Sequence, residues 1–454
     1  MFDTSTWIPK WLGRGMRLHY LRMVLTPLDV RGAGGDLANR LPRPQVAGDA
    51  PVAAVRDILH QVEESGDAAL RLLTERFDGV VVDDLEVAPA ELAAAYARIP
   101  EELRAALVVA EDAIASFHRS QMRPAHRHER DGIRVDGREI PVDRAGLYVP
   151  GGRAIYPSTV LMTAVPARVA GVGEVVLCVP PDRSGAVPDA TLAAAHLAGV
   201  DRVFRIGGAQ AIGAMAYGTE TVPSVDVIAG PGNVYVAIAK REVAGSGLVG
   251  VPSAFAGPSE VVVVADASAS PDHVAIDVLL QAEHGPDGLA WLIAWDESVI
   301  SAVSSEVARL VDDAPRKEDM LSTLAEGGYA VLCEGPEQAI EVANLIAPEH
   351  LELMTADPEL LVPLVRHAGA VFCGPYSPAS IGDYVAGPSH VLPTDGSARF
   401  SSALTVGDFL KQLHVITVDR SGLDRLGPHV VTLAEAEGLD AHARSIRLRQ
   451  GLGS

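Results

Sequence analysis

The sequence is short of positive charge. Against 59 Asp and Glu it sets only 37 Lys and Arg, a formal net charge of −22 with pI near 5.0. That balance excludes non-specific binding to nucleic acid or to anionic membranes, both of which need a basic surface. Cysteine is scarce too. Cys178, Cys333 and Cys373 lie far apart, outside any CxxC, each within an apolar run. They read as buried thiols of a protein from a reducing, cytoplasmic compartment, neither a disulfide framework nor a thiolate metal site. No uncharged apolar run reaches the roughly 18–20 residues that span a bilayer, so a membrane protein is not expected. Short-period repeats are missing as well.

What is present is a globular composition, 48% hydrophobic and 21% charged. At about 100–200 residues per domain, 454 residues favour two or more domains. Residues 1–22 hold two Trp and four basic residues without helical period, and Met23 reads as a natural start; 1–22 are expected to be a disordered extension. Segment 23–143 reads as an N-terminal helical region. Apolar residues recur at three and four spacing through 50–118, with Asp78-Gly79 stopping the first helix. The stretch HRHER (126–130) reads as a solvated charged turn, and Asp136-Gly137 inside IRVDGREI as a hairpin turn.

From 144 the pattern alternates strand and helix. GLYV, EVVLCV, RVFRI and DVIA are predicted strands of a first αβ unit (144–258); EVVVVAD, LAWLIAWD, YAVLC and AVFCG are those of a second (259–390). Two αβ units with parallel sheets follow from that order. The tail, 391–454, is read as losing strand character and ending in a charged helix.

The single GxGxxG, at Gly245–Gly250, follows a helix rather than a strand, so it is not a dinucleotide fingerprint. Three other loops are better placed. YVPGGRAIYPS, IGGAQAIG and IAGPGNVYV each follow a predicted strand with glycine and polar residues, where open α/β sheets bind ligands. Backbone N–H groups and a following helix N-terminus suit a pyrophosphate there. Any one of these loops alone is an ordinary turn; three of one design point to a cofactor.

Gln281 and His284 in QAEH lie three apart and share a helix face. Asp383 and His390 stand in a Gly/Pro-rich loop, and His442 in the tail. Two His and a carboxylate suit zinc, although spacing alone does not bring them together. In APEHLEL, Glu349 and His350 are adjacent at a helix-to-strand junction. A histidine there can take an alcohol's proton and a neighbouring carboxylate can orient water; a solvated turn is the bland alternative.

Together these strings resemble the histidinol dehydrogenase family. The matching stretches are GLYVPGGRAIYPSTVLM, GGAQAIGAMAYG, GPGNVYVAIAKREV, AGPSEVVVVAD, QAEH, PEHLEL, GDYVAGPSHVLPT and AEAEGLDAH, in order between about 144 and 445, with weaker likeness back to about 24. The resemblance implies two incomplete Rossmann-like domains with parallel sheets, an N-terminal helical region and an extended C-terminal tail, assembled as an intertwined homodimer. It implies a zinc- and NAD-dependent oxidation of L-histidinol to L-histidine through the aldehyde, with two NAD, closing histidine biosynthesis. By matching motif, NAD would meet Tyr148, Gln210 and Asn233. Zinc would be held by Gln281, His284, Asp383 and, from the tail of the other subunit, His442. Substrate would meet Ser259, His350, Asp383, His390 and Glu437 together with the zinc ligands. Glu349 and His350 would be the catalytic pair.

The chain departs from the family at three positions. Ser389 stands where many members carry Asn, Ala379 where many carry a substrate-holding Glu, and Gly285 where many carry Asp. The first two leave open a paralogous zinc/NAD dehydrogenase acting on another small polar alcohol, such as a sulfonated diol. A zinc hydrolase using Glu349 to activate water would need no nicotinamide, and the three glycine loops argue against it. A binding protein that merely kept the fold is opposed by the intact Glu349-His350 pair.

Overall fold

The computed structural model describes residues 24–42, 50–151, 154–252, 259–284 and 288–451; the expectation for 1–22 lies outside the described residues. In chain order the strands are β1 (Thr26–Asp29), β2 (His126–Arg130), β3 (Ile133–Pro141), β4 (Arg144–Tyr148), β5 (Glu174–Val179), β6 (Arg202–Arg205) and β7 (Val227–Ala229). They continue as β8 (Glu260–Ala265), β9 (Leu289–Ala294), β10 (Gly328–Leu332), β11 (His350–Met354), β12 (Ala370–Cys373) and β13 (Leu410–Val418).

The two αβ units form two parallel sheets. The first has the order β6-β5-β4-β7, the second β1-β10-β9-β8-β11-β12. Every pairing in both is parallel. The strands are short and rich in Val because helices cover both faces and water touches neither. In β4 and β5, Leu147, Val175 and Leu177 face one core, while Tyr148, Val176 and Cys178 face the other. Helices Glu101–Gln121, Pro157–Ala170 and Asp189–Leu197 fill the first of these cores; Ala50–Asp78, Gly208–Tyr217 and Val234–Gly245 fill the second. The second sheet alternates in the same way, with Val261 and Val263 toward one layer and Val262 and Val264 toward the other.

Sheet membership does not follow chain order everywhere. β1, from the N-terminal segment, pairs with β10 at the edge of the second sheet. Helix Ala50–Asp78, from the same segment, lies on the first sheet and is kinked at Gly66 (φ +52).

Three local expectations are corrected. HRHER is a strand, exposed throughout, and not a turn. The hairpin turn is Asp131-Gly132, both with positive φ, while Asp136-Gly137 lies within continuous β3. Gly137 serves packing instead: the His126 ring of β2 covers it, where a Cβ would collide. The tail does contain a strand. β13 pairs antiparallel with β3 along nine residues, Leu410 with Pro141 to Val418 with Ile133. Its largely exposed KQLHVITV lacks the buried apolar run of the parallel strands, and only its partner β3 gives it a sheet.

Among the described residues, no helix is long and apolar enough to cross a membrane. All three cysteines are free; burial pushes the Cys333 thiol up to about 12 and raises that of Cys178.

Candidate active site and cofactor loops

The catalytic candidates gather at the amino ends of the second sheet. Helix Pro336–Ile346 stops at Ala347 (φ +56), and Pro348 cannot continue it. Glu349 then precedes β11, and His350 is its first residue, in register with Val261 of β8 and Ala370 of β12. The backbone of one residue, Glu260, orders both side chains. Its N–H donates to Glu349 Oε2 at 2.9 Å, and its carbonyl accepts from His350 Nδ1 at 3.0 Å. A carbonyl can only accept, so Nδ1 carries a hydrogen and Nε2 is the nitrogen turned to the site.

His350 Nε2 lies 3.3 Å from Asp383 Oδ1, and Nδ1 lies 3.5 Å from Glu349 Oε2. Burial works against charge on this imidazole, but the Glu349 and Asp383 carboxylates override it and hold its pKa well above the usual value. Phe372 stacks on the ring, with centroids 6.0 Å apart. Asp383 arrives on the short helix Ala379–Tyr384. That helix is pinned to β11 by Glu352, whose Oε1 accepts from Ala379 N at 2.7 Å.

His390 joins the two αβ units. Its Nδ1 donates to Asp383 O at 3.0 Å, and its Nε2 lies 3.1 Å from Thr159 Oγ1 at the start of helix Pro157–Ala170. Burial lowers its pKa, leaving the ring neutral near pH 7.

Gln281 opens the single turn Gln281–His284 that follows helix Pro271–Leu280. It is fully buried, and its Oε1 has no hydrogen-bond partner. Ser259, half-buried, precedes β8. A Cβ added at Gly288 would meet Ser259 O and Gln281 O, each at 3.3 Å, which places those two backbones side by side. The side chain of His284 lies outside the described residues.

Thus Glu349, His350, Asp383 and His390 form one connected cluster, and Ser259 adjoins it through Glu260. His442 and Glu437 do not join it. Both are exposed in the tail, His442 on helix Asp440–Arg449 and Glu437 capping helix Arg420–Ala436. Among the described residues, no hydrogen bond or ion pair ties either to the cluster.

The three glycine loops lie at the carboxyl ends of the first sheet. Buried Tyr148 ends β4 and accepts from Gly208 N at 3.0 Å through its phenol oxygen, tying the first loop to the second. Gly208 (φ +64) and Gly230 (φ +112) take backbone conformations that side chains disfavour; at Gly230 a Cβ would strike the Tyr148 carbonyl. Gln210 is buried and its Nε2 has no partner. Asn233 Oδ1 caps helix Val234–Gly245, accepting from Tyr235 N at 3.1 Å and Val236 N at 3.2 Å, which leaves its amide nitrogen to a ligand. Lys240 of the same helix is fully buried and donates to Gly230 O; burial brings its pKa down to about 7.

Sequence reasoning missed Thr159, Glu260 and Glu352. Thr159 carries no motif signal. Glu260 and Glu352 did have one, since each is a carboxylate inside a run otherwise read as buried strand. Both departures from the family pattern among described residues are buried. Ser389 Oγ donates to Met162 O at 3.0 Å and accepts from Val391 N at 3.2 Å, so its hydroxyl is spent on packing.

Comparison with known proteins follows the same outline. The family model described as histidinol dehydrogenase matches residues 41–450. A histidinol dehydrogenase of a Synechococcus strain is 50% identical over 401 residues, covering 88% of this chain and 92% of that protein. That of Geobacillus kaustophilus is 46% identical, covering 87% of this chain and 93% of its own. The crystal structure of histidinol dehydrogenase from Elizabethkingia anophelis superposes with a TM-score of 0.89 at 35% identity, covering 94% of this chain and 98% of that one. With a match that spans both sheets, the candidate active-site cluster and the tail, the chain belongs to the histidinol dehydrogenase family.

Proposed function

We propose that this enzyme oxidises L-histidinol to L-histidine in two NAD-dependent steps, with zinc in the site. The observation that carries the reading is the joint positioning of Glu349 and His350 by the Glu260 backbone, with His350 Nε2 facing Asp383.

Zinc would be held by Gln281, His284 and Asp383, completed by His442 of the partner subunit. The donor set fits: the buried Gln281 Oε1 has no hydrogen-bond partner, and the Asp383 carboxylate, beside His350 Nε2, adds a second oxygen donor of the kind zinc takes. When bound, zinc supplies a Lewis-acidic anchor for the nitrogens of the substrate. NAD would lie on the three glycine loops against Tyr148, Gln210 and Asn233, where Gln210 Nε2 lacks a partner, and when bound it supplies the hydride acceptor.

The chain's own residues do the rest. His350, with Nδ1–H held by the Glu260 carbonyl, takes the hydroxyl proton on Nε2 from its neutral form as the carbinol carbon loses hydride. Because the Glu349 and Asp383 carboxylates favour the charged imidazole, the ring must first give up its Nε2 proton, a step that rising pH favours. Glu349, held through Oε2, keeps its second oxygen for a water molecule and draws a proton from it during addition to the aldehyde. His390, neutral and anchored by Thr159, holds the Asp383 loop against the first αβ unit and closes the site around the aldehyde. Substrate would also meet Ser259 and Glu437 of the partner subunit.

The test is NADH formation by purified, zinc-loaded protein given L-histidinol and excess NAD. Two NADH per histidinol, with histidine as product, is the expected result. No turnover with zinc bound would refute the substrate. It would favour the paralogous reading, for which Ala379 in place of the family's glutamate is the specific support.

A further inference from the structure

Asp78 is the last residue of helix Ala50–Asp78, and nothing in its surroundings accounts for a carboxylate there. It stands at the negative end of the helix dipole, where a cation is favoured. It is half-buried, and burial alone pushes its pKa up to about 6. Its buried Oδ2 has no hydrogen-bond partner. Helix end, burial and missing partner each cost free energy, and no local contact offsets them.

The position of the group gives it a use. Asp78 Oδ1 lies 3.4 Å from the point a Cβ would occupy on Gly207, so it faces the glycine turn after β6. Its charge is close enough to Tyr148 to raise the phenol's pKa, alongside the burial that dominates there. Beside the same turn, Gln210 is buried with Nε2 unpartnered. Two orphaned polar atoms of complementary kind, an acceptor and a donor, thus flank one strand-end loop.

We propose that Asp78 is a cofactor-recognition residue whose carboxylate accepts the hydroxyl hydrogens of a ribose cis-diol of the bound dinucleotide. The proposal rests on the reading that NAD occupies these loops. A diol brings two O–H donors to a carboxylate that has none. A phosphate would be repelled there, which places the pyrophosphate elsewhere along the loops and disfavours a phosphorylated ribose. Acidic residues serve ribose hydroxyls in other α/β dinucleotide sites, where they follow the fingerprint helix; here the carboxylate comes from a helix ahead of the whole sheet.

Calorimetric titration of the zinc-loaded, full-length protein with NAD tests this without turnover. Asp78→Asn keeps the shape and removes the charge, and it should weaken NAD binding by about 10- to 100-fold. Titrations with AMP and with nicotinamide mononucleotide assign the diol, because only the nucleotide carrying it should lose affinity in the variant. Wild-type and variant affinities for NAD within about twofold would overturn the proposal, as would equal losses for both mononucleotides. Should Asp78→Asn fail to fold, the wild-type protein decides: AMP or nicotinamide mononucleotide must bind at least about tenfold more tightly than its dideoxyribose analogue. Equal affinities would overturn it. Wild-type protein that binds no NAD would bring down the cofactor reading itself, an outcome distinct from a variant that binds as well as wild type.

Discussion

Glu260 offers the sharpest test of the electrostatics around the catalytic pair. Its backbone holds Glu349 and His350, while its own carboxyl group is fully buried, with Oε1 accepting from Asp395 N at 3.1 Å. Burial, with the charges of Asp395 and Glu349, pushes its pKa up to about 8 from an ordinary 4.5. The folded protein therefore keeps a proton that the unfolded chain releases. The unfolded state binds fewer protons between the two pKa values, so stability falls as pH rises from about 4.5 and levels off above about 8. Between about pH 6 and pH 9 the loss works out at about 2–3 kcal/mol for this one group. Glu260→Gln mimics the protonated acid, keeps the acceptor for Asp395 N and leaves the backbone contacts untouched. It should escape that loss. Urea unfolding of wild type and variant at several pH values, at one protein concentration, is the assay. The variant should gain about 2–3 kcal/mol relative to wild type from about pH 6 to pH 9, with kcat little changed at pH 7. Parallel stability profiles would refute the assignment of a neutral Glu260, and with it the picture of a catalytic pair backed by an uncharged acid.

Other expectations follow from the same geometry. His350→Asn should lower kcat by about 100-fold or more while bound zinc, measured by atomic absorption, stays near one per subunit; loss of metal would show that His350 is a ligand rather than the base. Thr159→Val removes the partner of His390 Nε2 and should raise KM by about five- to tenfold, with far-ultraviolet circular dichroism unchanged; an unaltered KM would remove His390 from substrate positioning. Mixing His442→Ala subunits with Glu349→Gln subunits should restore part of the activity through one intact hybrid site. No recovery after demonstrated subunit exchange would count against a shared active site.

The sequence by itself determined a good deal. The run EVVVVA is buried along its whole length and EVVLCV from Val175 onward, and only a parallel sheet covered on both faces has a place for them. The glycine loops after β4, β6 and β7 were legible because positive φ and close backbone approach select glycine strongly. The adjacent Glu349 and His350 were legible for a different reason: two chemically apt side chains in one peptide need no folding to be neighbours. Tertiary structure decided everything that depends on distant residues meeting. Spacing gave no hint that Glu260 would hold both Glu349 and His350 across 89 and 90 residues, or that Thr159 would meet His390 across 231. The proposed catalytic cluster formed at the amino ends of its sheet, opposite to where the strand-end rule looks for ligands. β13 escaped notice because it is largely exposed and irregular in pattern, and its strand conformation comes from hydrogen bonds to β3 rather than from its own residues. Local chemistry is written in neighbours along the chain, whereas burial and partnership are set by which surfaces the fold brings together.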